Sequence, residues 1–487
     1  MIKARYYFLM IMLGMGFSGY SQTRVSGADD GNAPYSLLDC IQYALKNNVS
    51  LRQAETQVES GHVQLQQSRW AKYPTVNGQF NANGNAGRNV DPFSNSIVTQ
   101  AIGTNNVGIG ANVTVFDGFR MKNTVVRNSL SLEATKLDVE ASKNDISLQV
   151  SLAYLNVLST EDLIEVAKKQ LEVTKFQLER TQKLVDAGSL PETNLFDLTA
   201  QQANDELQLI NAENNHESAI LSLKQAMNAP IEKVVRVSRM DVPDPGMQVY
   251  PQRSNEIYNT AIGFLPQVRA NDFRIKAADK NIEIAKSVGL PTVTASASWG
   301  SAYSTVAKEL IDKGTVYNPI SVSAEFEGQT IPFVVNFPSQ SYDQKNIAYF
   351  NQINNNQNLN MGVSVRIPIF NGYNQKFQTQ LAKVQKVQAE LQDEGVKLTI
   401  RQNIDQAYID MLNARKRYSA TLVQVQALEL SFKAADSRYN AGASNYVDYN
   451  LAKTNLDRAK SNLIVSKYDY IFRTKILDFY QNKPIEF

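Results

Sequence analysis

Four stretches of the chain alternate between apolar and polar residues with a period of two, the pattern of a β-strand with two unlike faces. They form two pairs, and each pair predicts a β-hairpin, one at about 74–117 and the other at about 291–370. A soluble sandwich would produce the same alternation in any single strand. The polar faces carry mainly amide and hydroxyl groups, at Asn77, Gln79, Asn81, Asn112, Thr294, Ser296, Ser364 and Arg366.

Long helices are predicted directly after each hairpin, over 118–186 and 372–440. Neither stretch contains proline, and at 1.5 Å per residue each helix would be roughly 100 Å long. Apolar residues recur every seven positions, which favours a left-handed supercoil with partner helices. The two ladders are Val150, Val157, Ile164, Leu171, Leu178 and Val185, and Ile404, Met411, Tyr418, Val425, Phe432 and Tyr439.

Each long helix ends at a turn of small residues, Ala187-Gly188-Ser189 in one case and Ala441-Gly442-Ala443 in the other. Glycine just past a helix end can take the left-handed conformation that closes the helix. A return helix is predicted after each turn, over 191–227 and 446–479. The result is two long helical hairpins whose tips lie far from the strands.

The second half of the chain repeats the first, since Phe370-Asn371-Gly372 follows Phe116-Asp117-Gly118 by 254 residues and other short matches share that offset. Pro291 follows Pro74 by only 217, so the second copy carries 37 more residues. Their Asn, Ser, Tyr and Gln content predicts a long exposed loop at 302–357. The predicted first repeat is 22–240, with an opening helix and an equatorial segment at 229–240. The second is 241–487, with a helix at about 254–288 and a C-terminal tail.

The bulk composition excludes several classes of function. Lys and Arg total 49 against 47 Asp and Glu, so the chain lacks the excess of positive charge that is typical of nucleic-acid-binding proteins. The single cysteine, Cys40, excludes a disulfide framework, and the two histidines, His62 and His216, have no metal-ligand spacing. No metal and no cofactor are therefore expected.

The first 21 residues have the pattern of a secretory signal peptide. Lys3 and Arg5 precede an apolar run at 6–17, and Gly19-Tyr20-Ser21 supplies small residues for cleavage. Downstream, no run of about 18 apolar residues remains to form a spanning helix. The chain is therefore expected to be exported, and any membrane span has to be built from strands.

Four strands are too few to close a barrel alone. Unpaired strand edges are costly in hydrocarbon, and known bacterial barrels begin at about eight strands. Three chains would supply twelve strands and enough helical hairpins for a tube. The predicted fold is a mixed α and β membrane protein, with coiled-coil hairpins forming an α-barrel and two β-hairpins per chain forming a shared trimeric twelve-stranded β-barrel.

These features resemble the TolC family of outer-membrane efflux ducts. The residues that carry the resemblance are Ala44-Leu45-Lys46-Asn47-Asn48, the prolines Pro74 and Pro291, the two Phe-x-Gly turns, Gly188, and Arg438-Tyr439-Asn440-Ala441-Gly442 followed by Asp448. The resemblance covers about Ser36 to Pro484. None of these motifs is specific to the family by itself, but the order of the motifs and their duplicated spacing are specific.

The resemblance implies a homotrimer in outer-membrane lipid, with a long periplasmic α-barrel. Such a duct is the exit of a tripartite efflux or type I secretion system, with no catalysis. An inner-membrane pump, driven by protons or by ATP, supplies the energy. A periplasmic adaptor docks at the hairpin tips, which here are Ala187, Gly188, Ser189, Ala441, Gly442 and Ala443.

The resemblance also places a periplasmic gate or constriction near the tips, at Asn194, Tyr439, Ser444, Asp448 and Leu451. Asn194 stands where a gate carboxylate is expected, and Leu451 where a second acidic ring can occur. Tyr439 also continues the seven-residue ladder, so gating and packing are both open interpretations of it. The sequence leaves open whether charge pairs or packing close the entrance.

Two other classes of protein compete with this interpretation. A periplasmic adaptor also has long coiled-coil hairpins, although usually one hairpin flanked by small β domains. An exported enzyme is the other alternative, but the chain has no Ser/His/Asp order, zinc spacing or glycine-rich phosphate loop. An outer-membrane location with a heat-sensitive trimer would favour the duct.

Overall fold

The structure is a computed structural model that describes residues 34–90, 95–239, 244–245 and 250–483. The predicted signal peptide at 1–21 lies outside the described residues. So do position 240 of the predicted equatorial segment, positions 241–243 and 246–249 of the predicted second repeat, and the end of the C-terminal tail, at 484–487.

The two halves of the chain present the same order of elements: two short helices, strands, a long helix and a return helix. The first half contains α1 (Leu37–Asn47), α2 (Val49–Trp70), β1 (Thr75–Val90), β2 (Ile97–Phe116), α3 (Arg120–Asp186) and α4 (Thr193–Met227). The second half contains α5 (Ser254–Phe264), α6 (Pro266–Lys286), β3 (Thr292–Ser304), β4 (Lys308–Phe326), β5 (Gln329–Asn346), α7 (Tyr349–Asn355), β6 (Asn358–Arg366), α8 (Asn374–Asn440) and α9 (Tyr446–Phe479).

Residues with left-handed backbone recur at the 254-residue offset. Gly118 and Gly372 have φ of 68° and 63° at the strand-to-helix turns, and Asn228 and Asn482 have φ of 53° and 58° after the return helices. The chain therefore turns at matching places in its two halves.

The predicted single helix at 254–288 is two helices in the structure. Pro266 has no backbone N–H to donate and its ring would clash with the carbonyl four residues earlier, so a continuous helix is disfavoured there. Helix α5 accordingly ends at Phe264, and α6 begins with Pro266 at its first position, where the missing N–H costs nothing.

Strands β1, β2, β3 and β6 form one antiparallel sheet in that order. Its register aligns apolar residues with apolar ones, as in the row Ile109, Trp299 and Leu359. Polar residues align on the opposite face, as in the pair Asn112 and Ser296. Within the described residues, the outer edges of β1 and β6 pair with no other strand.

The predicted loop at 302–357 is wrong in part, because most of it has regular structure. Strands β4 and β5 pair with each other in a separate two-stranded sheet, which we call the outer hairpin, and α7 follows. Helix α7 covers the edge of β3 beyond the end of β6. Its buried Gln352 donates from Nε2 to the Ser304 carbonyl at 3.0 Å and accepts from the Ser304 N–H at 2.9 Å, which satisfies that edge.

The long helices α3 and α8 have 67 residues each, so each is about 100 Å long. Helix α3 packs against α4, and α8 packs against α9. The seven-residue ladders form the inner seams, since Val150, Val157, Ile404 and Met411 are at most 1% exposed. Helices α2 and α6 pack beside the strand-proximal parts of the long helices.

Short segments outside the helices contact the middle of α3 and the end of α9. Tyr35 forms a parallel bridge with Val237, and the Tyr154 hydroxyl donates to the Ser238 carbonyl at 2.7 Å. On the other side, the Tyr250 hydroxyl donates to Asp478 Oδ1 at 2.8 Å. These contacts tie the segments between repeats to the helical core.

Candidate functional site

Both hairpin tips end their long helices with the same capping motif. The Gly188 N–H donates to Val185 O and the Ser189 N–H to Leu184 O, both at 2.8 Å. The second tip repeats this with Gly442 to Tyr439 and Ala443 to Arg438. Gly188 and Gly442 have φ of 72° and 71°, a conformation that side chains with a Cβ rarely adopt. Both tips are thus tight turns of fixed geometry.

The second tip leads into α9 through a short polar cap. Asn445 accepts the Asp448 N–H on its side-chain oxygen at 2.9 Å, and the Ser444 hydroxyl donates to Asp448 Oδ2 at 3.1 Å. Asp448 sits in the first turn of the helix, where the N-terminal dipole favours a carboxylate. Asp448 and Leu451 are exposed, Leu451 by 61%, so both lie on the outward face of α9.

A cluster of aromatic side chains fills the space between the two hairpins just above the tips. Tyr439 stacks on Tyr449 with ring centroids 5.0 Å apart and contacts Tyr446 edge-on at 6.3 Å. Leu198 of α4 is buried against these rings. Burial raises the pKa of Tyr446, and it raises the pKa of Tyr449 to about 12. The Tyr446 and Tyr449 hydroxyls are therefore neutral at physiological pH. Tyr439 packs against both of these rings.

The two hairpins also meet through a polar contact near the ends of their long helices. Arg180 Nη1 donates to Asn440 Oδ1 at 2.6 Å. Both partners lie close to solvent, so this contact contributes little free energy on its own. Asn194 is half-buried in the first turn of α4, and its N–H donates to the Pro191 carbonyl at 3.2 Å.

Farther from the tips, a buried charge network connects the hairpins. Lys453 of α9 is 5% exposed, and its Nζ lies 3.4 Å from Asp205 of α4 and 2.9 Å from Asp457. Asp205 is 2% exposed and also accepts hydrogen bonds from Thr174 at 2.5 Å and from Gln201 at 2.8 Å. Burial raises the pKa of the Asp457 carboxyl, an effect that Lys453 opposes.

The predicted channel-lining positions all fall on one face of the four-stranded sheet. Thr294 pairs with Ser364, Ser296 with Asn112, and Asn77 and Gln79 with glycines of β2. Asn81 pairs with Asn106, and Arg366 with Thr292 at the helix-proximal end. The other face is apolar and exposed, for example by 67% at Phe80 and 75% at Met361.

The outer membrane efflux protein model matches residues 40–229 and 257–473, which is most of the chain. The chain belongs to the outer membrane efflux protein family. The resemblance predicted from the sequence motifs is thereby confirmed.

Two members of this family are similar in sequence to this chain over most of their length. The outer membrane efflux protein BepC of Brucella suis biovar 1 (strain 1330) is 21% identical over 436 residues, covering 90% of this chain and 83% of that protein. The outer membrane protein TolC of Escherichia coli (strain K12) is 21% identical over 476 residues, covering 95% and 84%. The crystal structure of the outer membrane protein VceC of Vibrio cholerae matches with a TM-score of 0.67 and 16% identity, over 91% of this chain and 94% of that one.

As a member of the outer membrane efflux protein family, the chain is an outer-membrane channel with a long periplasmic part, and it is not an enzyme. The predicted fold class, long helical hairpins combined with strands for a β-barrel, is confirmed. In the part of the chain that the structure describes, no cluster of His, Cys, Asp or Glu could hold a metal ion. None of its described helices is long and apolar enough to span a membrane.

Only some of the predicted gate residues are in contact with one another in the structure. Ser444 and Asp448 are in contact, whereas Tyr439 belongs to the aromatic cluster and Leu451 projects outward. Their roles in gating stay predictions. The buried charge network was missed, because Lys453 and Asp205 lie 248 residues apart and neither stands in a recognisable motif. A sequence signal did exist: Lys453 and Asp457 are four residues apart on one helix face.

Proposed function

We propose that three copies of this chain form the exit duct of a tripartite efflux or type I secretion system. The duct passively conducts substrates from an inner-membrane pump, through the periplasm, to the exterior. The observation that carries the proposal is the four-stranded sheet, with its two unpaired edges and its exposed apolar face.

The sheet supports a barrel shared between chains. The outer edges of β1 and β6 pair with no other strand of the described chain, and such edges are not tolerated in hydrocarbon. If β6 of each chain pairs with β1 of the next, three chains close twelve strands. The apolar face then contacts lipid, and the amide and hydroxyl face lines a water-filled channel.

The helices support the same assembly. Helix α8 carries a second apolar ladder at seven-residue spacing, at Phe377, Val384, Leu391 and Leu398. These side chains are between 56% and 62% exposed in the single chain. An uncovered heptad stripe of this length indicates a partner helix, and a neighbouring copy supplies one in a closed tube.

The entrance is proposed to lie at the hairpin tips, where a periplasmic adaptor docks on the turns at 187–189 and 441–443. In the closed state, the packing of Leu198 against the aromatic cluster and the contact between Arg180 and Asn440 hold the hairpins of one chain together. Asp448 and Leu451 face outward from α9 and so toward the pore or a neighbouring copy. Docking of the adaptor then opens the entrance, and the pump supplies the energy.

The proposal is tested by substituting one residue of the exposed ladder on α8. Leu391→Asp places a charge in the contact between copies, so the heat-sensitive trimer band and efflux should both be lost. Gln392→Asp is the matched control, since it changes the adjacent exposed position and should leave trimer and efflux intact. A wild-type protein that fractionates as a soluble periplasmic monomer would contradict the duct. A Leu391→Asp trimer that supports normal efflux would contradict the contact between copies along α8.

A further inference from the structure

The outer hairpin lies at the end of the sheet far from the long helices. Strand β3 begins at Thr292 beside α6 and ends at Ser304, and β4 starts four residues later. At about 3.3 Å per residue, the 19 residues of β4 would extend roughly 60 Å. Two-stranded sheets of this kind are marginally stable unless something packs on one face.

The two faces of the outer hairpin differ in character. Residues opposite each other in an antiparallel pair share a face. The pairs Ile320 with Val335 and Val322 with Phe333 therefore lie on one face. Ser321 and Ser323 lie on the other, together with Tyr317, Val334 and three prolines. We call the first the apolar hairpin face; it consists of Val316, Asn318, Ile320, Val322, Ala324, Ile331, Phe333, Val335, Phe337 and Ser339. Its two polar members, Asn318 and Ser339, hydrogen-bond each other, with Asn318 Nδ2 donating to Ser339 Oγ at 2.5 Å.

The apolar hairpin face is uncovered in the single chain. Ile320 is 50% exposed, Ile331 51% and Phe337 49%, and no element of the described chain packs on them. Charged residues occur only near the base of the hairpin and at its tip, and none lies in 314–324 or 328–342. An exposed strip that is uncharged and mainly apolar over this length is typical of a surface that contacts an apolar partner.

Three prolines restrict how that partner can bind. Pro319 lies on β4, and Pro332 and Pro338 lie on β5, each within the paired register. A proline keeps its place in a ladder only where its nitrogen points away from the paired strand, so it removes a donor from the free edge. The free edge of β4 therefore lacks a donor at Pro319 and that of β5 at Pro332 and Pro338, which disfavours the addition of a further strand across these positions. The partner has to pack on the face.

The position of the hairpin indicates which partner this is. The outer hairpin leaves from β3 and returns, through α7, to β6. Strand β6 has the free edge that pairs with the next copy in the proposed trimer. In the proposed trimer each outer hairpin therefore lies beside a neighbouring chain, and the three-fold axis places three identical apolar hairpin faces at the same height.

We propose that the outer hairpins of three copies pack their apolar hairpin faces on one another, forming a collar above the outer mouth of the duct. This inference rests on the trimeric assembly proposed above. The collar gives each hairpin the second layer that it lacks alone. It also narrows the outer mouth of the duct with apolar side chains, which would not bind a charged solute.

Single-cysteine variants on adjacent positions of β4 test the collar. Val322→Cys lies on the apolar hairpin face, and Ser323→Cys, the matched control, lies on the opposite face. Cys40, the only native cysteine, is 0% exposed and burial raises the pKa of its thiol to about 12, so it stays unreactive. A membrane-impermeant short bis-maleimide on whole cells should link Val322→Cys chains into covalent dimers at least tenfold more than Ser323→Cys chains.

The outcomes separate the collar from the duct itself. An intact heat-sensitive trimer in which Val322→Cys reacts with impermeant maleimide without cross-linking would overturn the collar and leave the duct standing. Val322→Cys labelled only by a lipid-soluble maleimide would place the face on the membrane, which also overturns the collar. Absence of any trimer in wild type would overturn both proposals.

Discussion

Replacing Lys453 with methionine should strongly weaken the contact between the two hairpins of each chain. Methionine keeps the length and flexibility of the side chain but removes the charge that faces Asp205 and Asp457. Breaking a buried ion pair from one side costs roughly 3–5 kcal/mol, because the remaining charge stays buried without its partner. Asp205 is 2% exposed, so solvent does not compensate for the loss.

Two features of the structure place the effect at the lower end of that range. Asp205 keeps its hydrogen bonds from Thr174 and Gln201, and the Asp457 side chain is 21% exposed and can be partly hydrated. We expect a loss of about 3 kcal/mol per chain in the free energy of unfolding. The double variant Lys453→Met/Asp205→Asn should lose less than Lys453→Met alone, since the neutral asparagine side chain still hydrogen-bonds and no longer needs a counter-charge.

The assay is guanidinium chloride unfolding of the purified protein in detergent, followed by helical circular dichroism at one fixed protein concentration. Lys460→Met is the matched control, one heptad further along α9. Lys460 pairs with Glu429 at 3.1 Å, but the two side chains are 41% and 51% exposed, so the expected loss is about 1 kcal/mol or less. Equal losses for Lys453→Met and Lys460→Met, or a double variant less stable than Lys453→Met, would refute the reasoning.

Three other changes have defined expectations. Gly442→Pro should disrupt closure or assembly more than a change in the 302–357 segment, because proline cannot adopt φ of 71° and lacks the N–H donated there; equal effects in a drug-susceptibility test would contradict this. Burial raises the pKa of the Asp457 carboxyl above its unfolded-state value, so protonation of this group favours the folded state. Its contribution to the free energy of unfolding is therefore lost as pH rises through the folded-state pKa. Asp457→Asn should flatten this part of the stability profile, measured by unfolding between pH 4 and pH 8. Linking Arg180→Cys to Asn440→Cys with a short bis-maleimide should block efflux, whereas alkylating the same cysteines separately should not.

The sequence was most informative where polar and apolar residues repeat with one regular spacing along a whole strand or helix. Alternation assigned Asn112 and Ser296 to the same face of the sheet before any pairing was known, and the register agrees. The glycine-containing turns located the hairpin tips because few other residues adopt left-handed backbone. Local chemistry alone was sufficient in both cases.

The sequence was least informative where distant segments meet or where a residue has an unusual context. The Asn, Ser, Tyr and Gln content of 302–357 favoured a loop, yet β4 and β5 lie there. Their prolines are tolerated because each strand has an outer edge outside the two-stranded pairing. The partner of Lys453 lies on another helix far along the chain, and a lone lysine on a helix face is ordinarily solvated. Neither feature has a periodic signal.

The relative strength of the contacts between the hairpins decides where they can separate. The contact between Arg180 and Asn440 lies near solvent and opposes opening only weakly. The buried charge network is costly to break, because each charge would be left without a partner in a site closed to water. Thr174, its member on α3, lies 12 residues before the end of that helix, or roughly 18 Å. In the proposed duct, opening within a chain should therefore be confined to the segment between this network and the tips, while the rest of the two hairpins moves as one body.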